Sequence, residues 1–445
     1  MAFIFSASLY VIGAFVGSLG GGLQSEYLGR KYSIIINNVV VLMGLLCLRF
    51  SNALPLLLIG RILTGYSNGA NRSCLGPYTS EVCQPGIRKT TATFSILFYT
   101  LGYAILFWLG VELHWRDVLS IVIVFPSVFS IIMCISPKSP TWLMNRGSSD
   151  KALSEMIRLR GNVDVANIEI DRLKNNMKQQ QQFCKDSKDS FFLKRLILAF
   201  KQETFLRPFT VLLVITTLGF HWTGSPTLSF YLVTTLQKSN LPLDPYTAAA
   251  IISCYRLGAT ILCTFISTCI RRRPLYIGCC LANAVGCFLL GTSAYLVTLE
   301  KYTQLQEDYE FVRWFPFFAI LLMYTGISGG MTSTAFALFS ELLPSNARGF
   351  GTGVLSAIGF MSLFCSTKFT PNMEELLGFH GMFWLFSAIG FGVAIFSFFC
   401  IPETFGLNLE DIEEHYRKIS NSSKPDIDID KMQEMLRDKH KISKA

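Results

Sequence analysis

The length of its apolar runs constrains this chain more than anything else. Stretches of about twenty residues with almost no charge recur at roughly 2–24, 32–50, 54–75, 90–112, 117–136, 207–233, 246–270, 274–298, 312–338, 349–369 and 379–400. An α-helix of that length crosses a hydrocarbon core of about 30 Å. Backbone polar groups in lipid find no water, so the runs must bond them internally, as helices do. Composition agrees: 51% of residues are hydrophobic, 16% are charged and 37 are Phe. The expectation is an all-α membrane protein with about eleven transmembrane helices.

The ends of these runs repeat. Glu81 precedes Arg88 by seven residues, and Glu341 precedes Arg348 by seven. Pro137-Lys138-Ser139-Pro140 and Pro402-Glu403-Thr404 each follow an apolar run, and Gly29-Arg30-Lys31 is loosely matched by Arg271-Arg272-Arg273. Two halves with matching charged corners are a layout of secondary transporters. The sequence divides into a first bundle (1–136), a polar connector (137–206), a second bundle (207–403) and a tail (404–445).

Lys and Arg set the orientation. One set of loops holds Arg30, Lys31, Arg88, Lys89, the segment 138–207, Arg271 to Arg273, and Arg348. The alternate loops hold only Arg49, Arg116, Lys238, Lys301 and Arg313. The basic set is expected in the cytosol, with the connector and the C-terminus. The net charge of +9 is thus explained by topology. Nucleic-acid binding is the weaker reading, because no basic patch interleaved with aromatics lies on a soluble domain. Five runs precede the connector and six follow it, so matched halves would lack one helix at the front. The first run has no basic leading residues and is too long for a signal peptide.

In the connector, Ser149-Asp150 offers a helix start, Ala152, Leu153, Met156 and Ile157 recur at helical spacing, and Gly161 offers a stop. A second short helix is expected over Val165–Met177. Gln179–Gln182 and Cys184–Ser190 read as flexible linker, and an unstructured tether is the plainer alternative for the whole segment. The 13 cysteines lie mostly inside apolar runs and form neither a disulfide framework nor a metal-ligand spacing. The sequons at Asn71 and Asn421 fall at or beyond the expected cytosolic boundary. No cofactor, phosphate-loop or nucleophile constellation is present, and an enzyme is not expected.

The corner residues carry a resemblance to a known family. Gly22-Leu-Gln-Ser-Glu26-Tyr-Leu-Gly29-Arg30-Lys31 resembles the loop between helices 2 and 3 of the major facilitator superfamily. Gly60-Arg61 with Gly65 and Gly69, then Tyr78-Thr-Ser-Glu81 and Pro85 to Arg88, resembles helix 4 of its sugar porter family. Pro137-Lys-Ser-Pro140-Thr-Trp142-Leu143 is similar to that family's signature after helix 6. Glu341-Leu-Leu-Pro344 with Arg348-Gly349 is similar to its helix 10 end. Pro402-Glu403-Thr404 with Leu409-Glu410-Asp411-Ile412-Glu413 is similar to its helix 12 end. Thr367-Lys368 and His380-Gly-Met-Phe-Trp-Leu-Phe386 are most similar to the insect trehalose-transporter-like branch. The resemblance covers almost the whole chain. It implies two pseudo-symmetric helical bundles that carry a sugar, trehalose or a hexose, across the plasma membrane. It also makes the absent helix the family's helix 1.

The resemblance gives these corners a role. Gly29 and Lys31 belong to the same loop as Arg30. Arg30, Arg88 and Arg348, with Glu26, Glu81, Glu341 and Glu403, would latch the bundles together on the cytosolic side. Each pair at a wet boundary is worth about 1 kcal/mol, and several together bias a two-state equilibrium. Snorkelling and topology anchoring are the plainer reading. On the gate reading, Arg88→Ala or Arg348→Ala shifts the protein towards inward-open.

The expected substrate site departs from the family. Its helix 7 glutamines are replaced by Phe220 and His221, and its following Asn by Pro226. Ile96 stands at the helix 5 glutamine position, Phe336 at the helix 10 Trp, and Gly359-Phe360 at the helix 11 Asn-Trp pair. A buried polar group left unpaired costs about 1–3 kcal/mol, so lost partners argue for a changed substrate, weak transport or none. His221, Trp222, Thr223, Ser225 and Tyr231 remain as candidate contacts for a polar solute, with packing around a helix-bending Gly-x-Pro as the alternative. Arg256 lies mid-run and must face a cavity or a carboxylate. Coupling to protons in such transporters involves a carboxylate on helix 1, and no replacement acid lies deep in a run, so facilitated diffusion is favoured over symport. The other class of reading is a transporter-like sensor, scaffold or truncated product.

Overall fold

The computed structural model describes residues 2–84, 88–171, 173–174, 203–239, 241–297, 310–332, 334–335, 338, 342 and 348–403. Every secondary-structure element among them is helical. The first half holds α1 (Ala2–Tyr27), α2 (Arg30–Arg49), α3 (Leu54–Val82), α4 (Arg88–Glu112) and α5 (Trp115–Ile135). The connector holds α6 (Pro140–Asn145), α7 (Ser149–Arg160) and α8 (163–171). The second half holds α9 (Glu203–Val214), α10 (Ser225–Lys238), α11 (Pro245–Cys269), α12 (Arg272–Val297) and α13 (Phe315–Gly326). A last run, Arg348–Cys400, is broken at Gly378 (φ 73°) into α14 (348–377) and α15 (379–400).

Helical backbone lies within each of the eleven apolar runs. Six helical runs among the described residues are long and apolar enough to cross a membrane, the last covering both α14 and α15. Their outer faces are apolar: Phe98 is 68% exposed, Phe265 69% and Phe399 77%. A face of that kind requires lipid as its solvent. The expected run 207–233 is not one helix. It breaks between α9 and α10, and α13 changes its winding after Gly326.

In the first half α3 packs against both α1 and α2, and α2 also packs against α5. In the second half α12 packs against α13 and the α14–α15 run. The halves meet where α1 lies on the α14–α15 run and α4 lies on α11. The connector is folded as far as it is described. Leu143, Met144, Ala152, Met156, Ala166 and Ile170 form a small apolar core, and Gly161 stops α7 as its sequence suggests. The expected Val165–Met177 helix begins at residue 163; Gln179–Gln182, Cys184–Ser190 and the tail lie outside the described residues.

The basic residues of one face share a job. Helix C-termini leave carbonyls without partners and carry partial negative charge. Arg146 donates to the carbonyls of Glu26 and Tyr27 at the end of α1. Arg160 donates to Val82 at the end of α3. Lys31 donates to Cys134 and Ser136 at 2.7 Å each, and Arg158 to Ile135, at the end of α5. Arg273 donates to Phe398 near the end of α15. The ends of α1, α3, α5 and α15 thus share the face that holds the basic loops, while on the other face Arg116 donates to Ser51 O (2.9 Å) just past α2.

Candidate functional site

The site begins with two irregular segments. Residues Ile215–His221 after α9, and Ile327–Met331 after α13, wind as π-helix. Such windings are rare and leave backbone groups to be satisfied from elsewhere. After the first, Gly224 takes a left-handed conformation (φ 81°), open to glycine and costly for other residues. Pro226 then starts α10. The freed carbonyl of Thr223 accepts from Asn283 Nδ2 (3.0 Å) and Cys287 Sγ (3.5 Å) of α12.

The break places the expected solute contacts on two different duties. Thr223 is buried, and its hydroxyl donates to Gly219 O (2.8 Å). Ser225 is buried, and its carbonyl accepts from Ser229 (3.0 Å). The Thr223 hydroxyl thus serves the break itself. Tyr231 sits at a kink in α10 and donates to Thr367 O (3.4 Å). His221 and Trp222 instead face α14. Trp222 Nε1 donates to Ser362 Oγ (3.2 Å), and His221 O accepts from Ser366 (2.7 Å). His221 is buried, with no hydrogen-bond partner for Nδ1 among the described residues. Phe360, on the same helix, lies 5.5 Å under the guanidinium of Arg72 from α3. Arg72 also lies within electrostatic reach of His221. These residues bring the halves together at one place. Phe336 lies outside the described residues.

Arg256 is buried, 7% exposed, and Nε donates to Ser328 Oγ (3.2 Å) in the second π segment. Its guanidinium lies 4.6 Å from the Tyr103 ring, 5.4 Å from Tyr324 and 5.9 Å from Tyr99. Ring faces attract a desolvated cation by about 0.5–2 kcal/mol each. Tyr99 and Tyr103 come from α4 in the other half, so the arginine is caged by both bundles. Tyr103 also donates across the interface to Ser229 O (2.9 Å).

Sequence reasoning missed the first-half side of this contact. Arg61, Asn68 and Arg72 stand at i, i+7 and i+11 on α3, one face of a helix. Asn68 donates to Tyr10 Oη (2.6 Å) on α1, and Tyr10 lies within electrostatic reach of Arg61, Arg72 and Tyr99. Asn68, Arg72 and Tyr99 are exposed although they lie inside helices at the contact between halves. The helical spacing of three polar residues in an apolar run was the available signal.

The expected gate residues are arranged within their own halves. Arg30 pairs with Glu81 (3.4 Å), Ser139 donates to Glu81, and Arg30 also donates to Ser25 O (2.9 Å). Gly29 is covered by Trp142, which donates to the Glu26 carbonyl (2.9 Å). Lys31 caps α5, and Glu403 accepts from the Arg272 amide (3.1 Å). Among the described residues these contacts join helices of one half and not the two bundles. Only backbone is described for Arg88 and Arg348, and Glu341 lies outside the described residues.

Comparison with known proteins agrees with this architecture. The family pattern described as "Sugar (and other) transporter" matches residues 1–416. A facilitated trehalose transporter of Polypedilum vanderplanki is 26% identical over 397 residues, 89% of this chain and 76% of that protein. One of Drosophila mojavensis is 27% identical over 401 residues, and the chain spans less than half of its length, 44%. The proton:xylose symporter XylE, solved with 6-bromo-6-deoxy-D-glucose, shares the fold with a TM-score of 0.72 and 20% identity, over 93% of this chain and 89% of that one. Its inward-open form from E. coli gives 0.73 at 18% identity, over 92% and 88%. The chain belongs to the sugar (and other) transporter family and is a multi-pass integral membrane protein of the major facilitator superfamily fold, not an enzyme.

Proposed function

We propose that this protein carries a sugar-class solute across the plasma membrane by facilitated diffusion, with the connector and C-terminus in the cytosol. The observation that supports this best is the set of polar and aromatic side chains where the halves meet. The break after α9 presents His221 and Trp222, α11 presents Arg256 bonded to Ser328 of the second π segment, and α1, α3 and α4 of the other half present Tyr10, Asn68, Arg72 and Tyr99. Solute sites at a repeat interface, built from discontinuous helices, suit alternating access by rocking of one bundle on the other. Neutral candidates are trehalose, named for the insect relatives, and a hexose.

Absence of acids supports diffusion over symport. No Asp or Glu lies inside any of the eleven apolar runs; Glu112 and Asp117 stand only at run ends. The gate role of Glu26, Gly29, Arg30, Lys31, Glu81, Arg88, Glu341, Arg348 and Glu403 belongs to the same proposal. The pairing of Arg30 with Glu81 inside the first half fits bundles that move as units.

The test is counterflow in proteoliposomes of the full chain with labelled trehalose, glucose and glucuronate, with and without a protonophore. Saturable exchange of any of these, unchanged by the protonophore, is expected. No exchange of all three overturns the transport reading; exchange that collapses with the proton gradient overturns diffusion.

A further inference from the structure

On the basic face α2 begins and α5 ends. The two helices pack against each other, and each is long and apolar enough to cross a membrane. Each turns an apolar stripe outwards: Tyr32, Ile36, Val39 and Met43 on α2, and Val124, Val128, Ile131 and Ile135 on α5, all exposed and spaced as one helix face. At the foot of both stripes is a narrow crevice that Arg30, Lys31, Tyr32, Lys138, Ser139 and Trp142 line. It holds about 10 Å³, room for a water-sized group and too little for a sugar. Three cations line it, and no carboxylate does among the described residues. Glu81 answers Arg30 at 3.4 Å. Lys31 meets neutral groups, the Cys134 and Ser136 carbonyls at 2.7 Å each, and Lys138 lies 5.3 Å from the Tyr32 ring. Beside the crevice Arg146 stacks on Trp142, and exposed Glu26 joins the corner through its carbonyl. The corner thus sets four cations against two carboxylates, and the Arg158–Glu155 pair near the end of α5 cancels itself. Snorkelling alone would leave the lysines in water, whereas Lys31 and Lys138 are half-buried.

A lysine binds phosphate as a point charge, and basic residues at a membrane surface attract anionic lipid. We infer that this corner binds an acidic phospholipid of the leaflet on the basic face. Its phosphate sits at the mouth of the crevice between Lys31 and Lys138, and its acyl chains lie along the stripes of α2 and α5. The crevice admits one phosphate oxygen, which suits a headgroup resting on the surface and not an enclosed solute. The stripes give an acyl chain a continuous apolar path and give a free anion nothing. Lipid held there steadies the corner in which Arg30 meets Glu81 and Lys31 caps α5. The inference does not depend on which solute the protein carries.

The experiment counts lipids bound to the delipidated, detergent-solubilised full chain by native mass spectrometry. Phosphatidylglycerol is compared with phosphatidylcholine of the same acyl chains, with inorganic phosphate as a competitor. One phosphatidylglycerol is expected to bind about tenfold more tightly than phosphatidylcholine, and Lys138→Gln to hold it about fivefold more weakly, the scale of basic residues at a charged surface. Lys138→Arg keeps the charge and is expected to keep the binding. Lys151→Gln removes the same charge from the exposed side of α7 and is expected to bind as the unaltered chain does. Equal binding of the two lipids overturns the inference, as does the same loss in Lys138→Gln and Lys151→Gln, or in Lys138→Gln and Lys138→Arg. Displacement of the lipid by equimolar inorganic phosphate overturns it too, because the site is then one for a free anion. Binding is read without flux, so its failure stays distinct from a failure of counterflow.

Discussion

Between α1 and α3 of the first half, glycines bring two backbones into contact, whereas α9 and α13 of the second half lose their regular winding. A methyl group at Gly17 would run into the Tyr66 carbonyl, one at Gly65 into that of Tyr10, and one at Gly69 into that of Ala14. Close approach of this kind is how helices associate where lipid offers no hydrophobic drive. In the second half, π segments, the Gly224 turn and the Gly378 break interrupt the helices, and side chains from neighbours hold the gaps. The α1–α3 pair is therefore packed as one body, and the second half holds the joints. Motion during transport should use the joints and spare the glycine seam.

Ways to break this contrast differ in size. Gly69→Leu forces backbone apart at the seam and should cost about 3 kcal/mol or more; loss of monodisperse protein on size-exclusion chromatography checks it. Asn283→Ala removes the donor that satisfies the Thr223 carbonyl and should cost about 2 kcal/mol. Its lowered Tm should come with faster hydrogen exchange at residues 219–226 and not in α1. Gly224→Ala places a side chain in a left-handed turn and should cost about 1–2 kcal/mol; unaltered melting would show that the turn relaxes freely. Glu81→Gln weakens the bonds to Arg30 and Ser139 at a partly wet boundary and should cost about 1 kcal/mol. Its effect should shrink in high salt, as a screened pair requires.

The same contrast explains what could be read from the sequence. Run length fixes where the helices lie, because lipid thickness fixes their length. Gly29, Arg30, Glu81 and Trp142 were grouped by family resemblance and not by spacing, since they meet from the ends of separate helices, Arg30 and Glu81 lying 51 residues apart. The capping partners were not legible: Lys31 and Arg160 cap carbonyls of helices distant in sequence, which no spacing reveals. At the site, Gly224 and Pro226 signalled the break, but the π windings have no signal of their own. Thr223 read as a solute contact because a hydroxyl near a break looks free until its bond to the Gly219 carbonyl is counted. Arg72 was hidden in the run Gly69-Ala-Asn-Arg72 near a sequon, where it resembled a boundary charge.

The most direct measurement is the distance between spin labels on the basic face, by pulsed electron resonance, after the native cysteines are replaced. One pair, Tyr27→Cys with Gln84→Cys, lies within the first half; the other, Tyr27→Cys with Arg271→Cys, spans the two halves. The account predicts one distance for the first pair with or without an exchanging solute, and two populations for the second that shift when the solute is added. A single, solute-independent distance across the halves, or a shift within the first half, would contradict it.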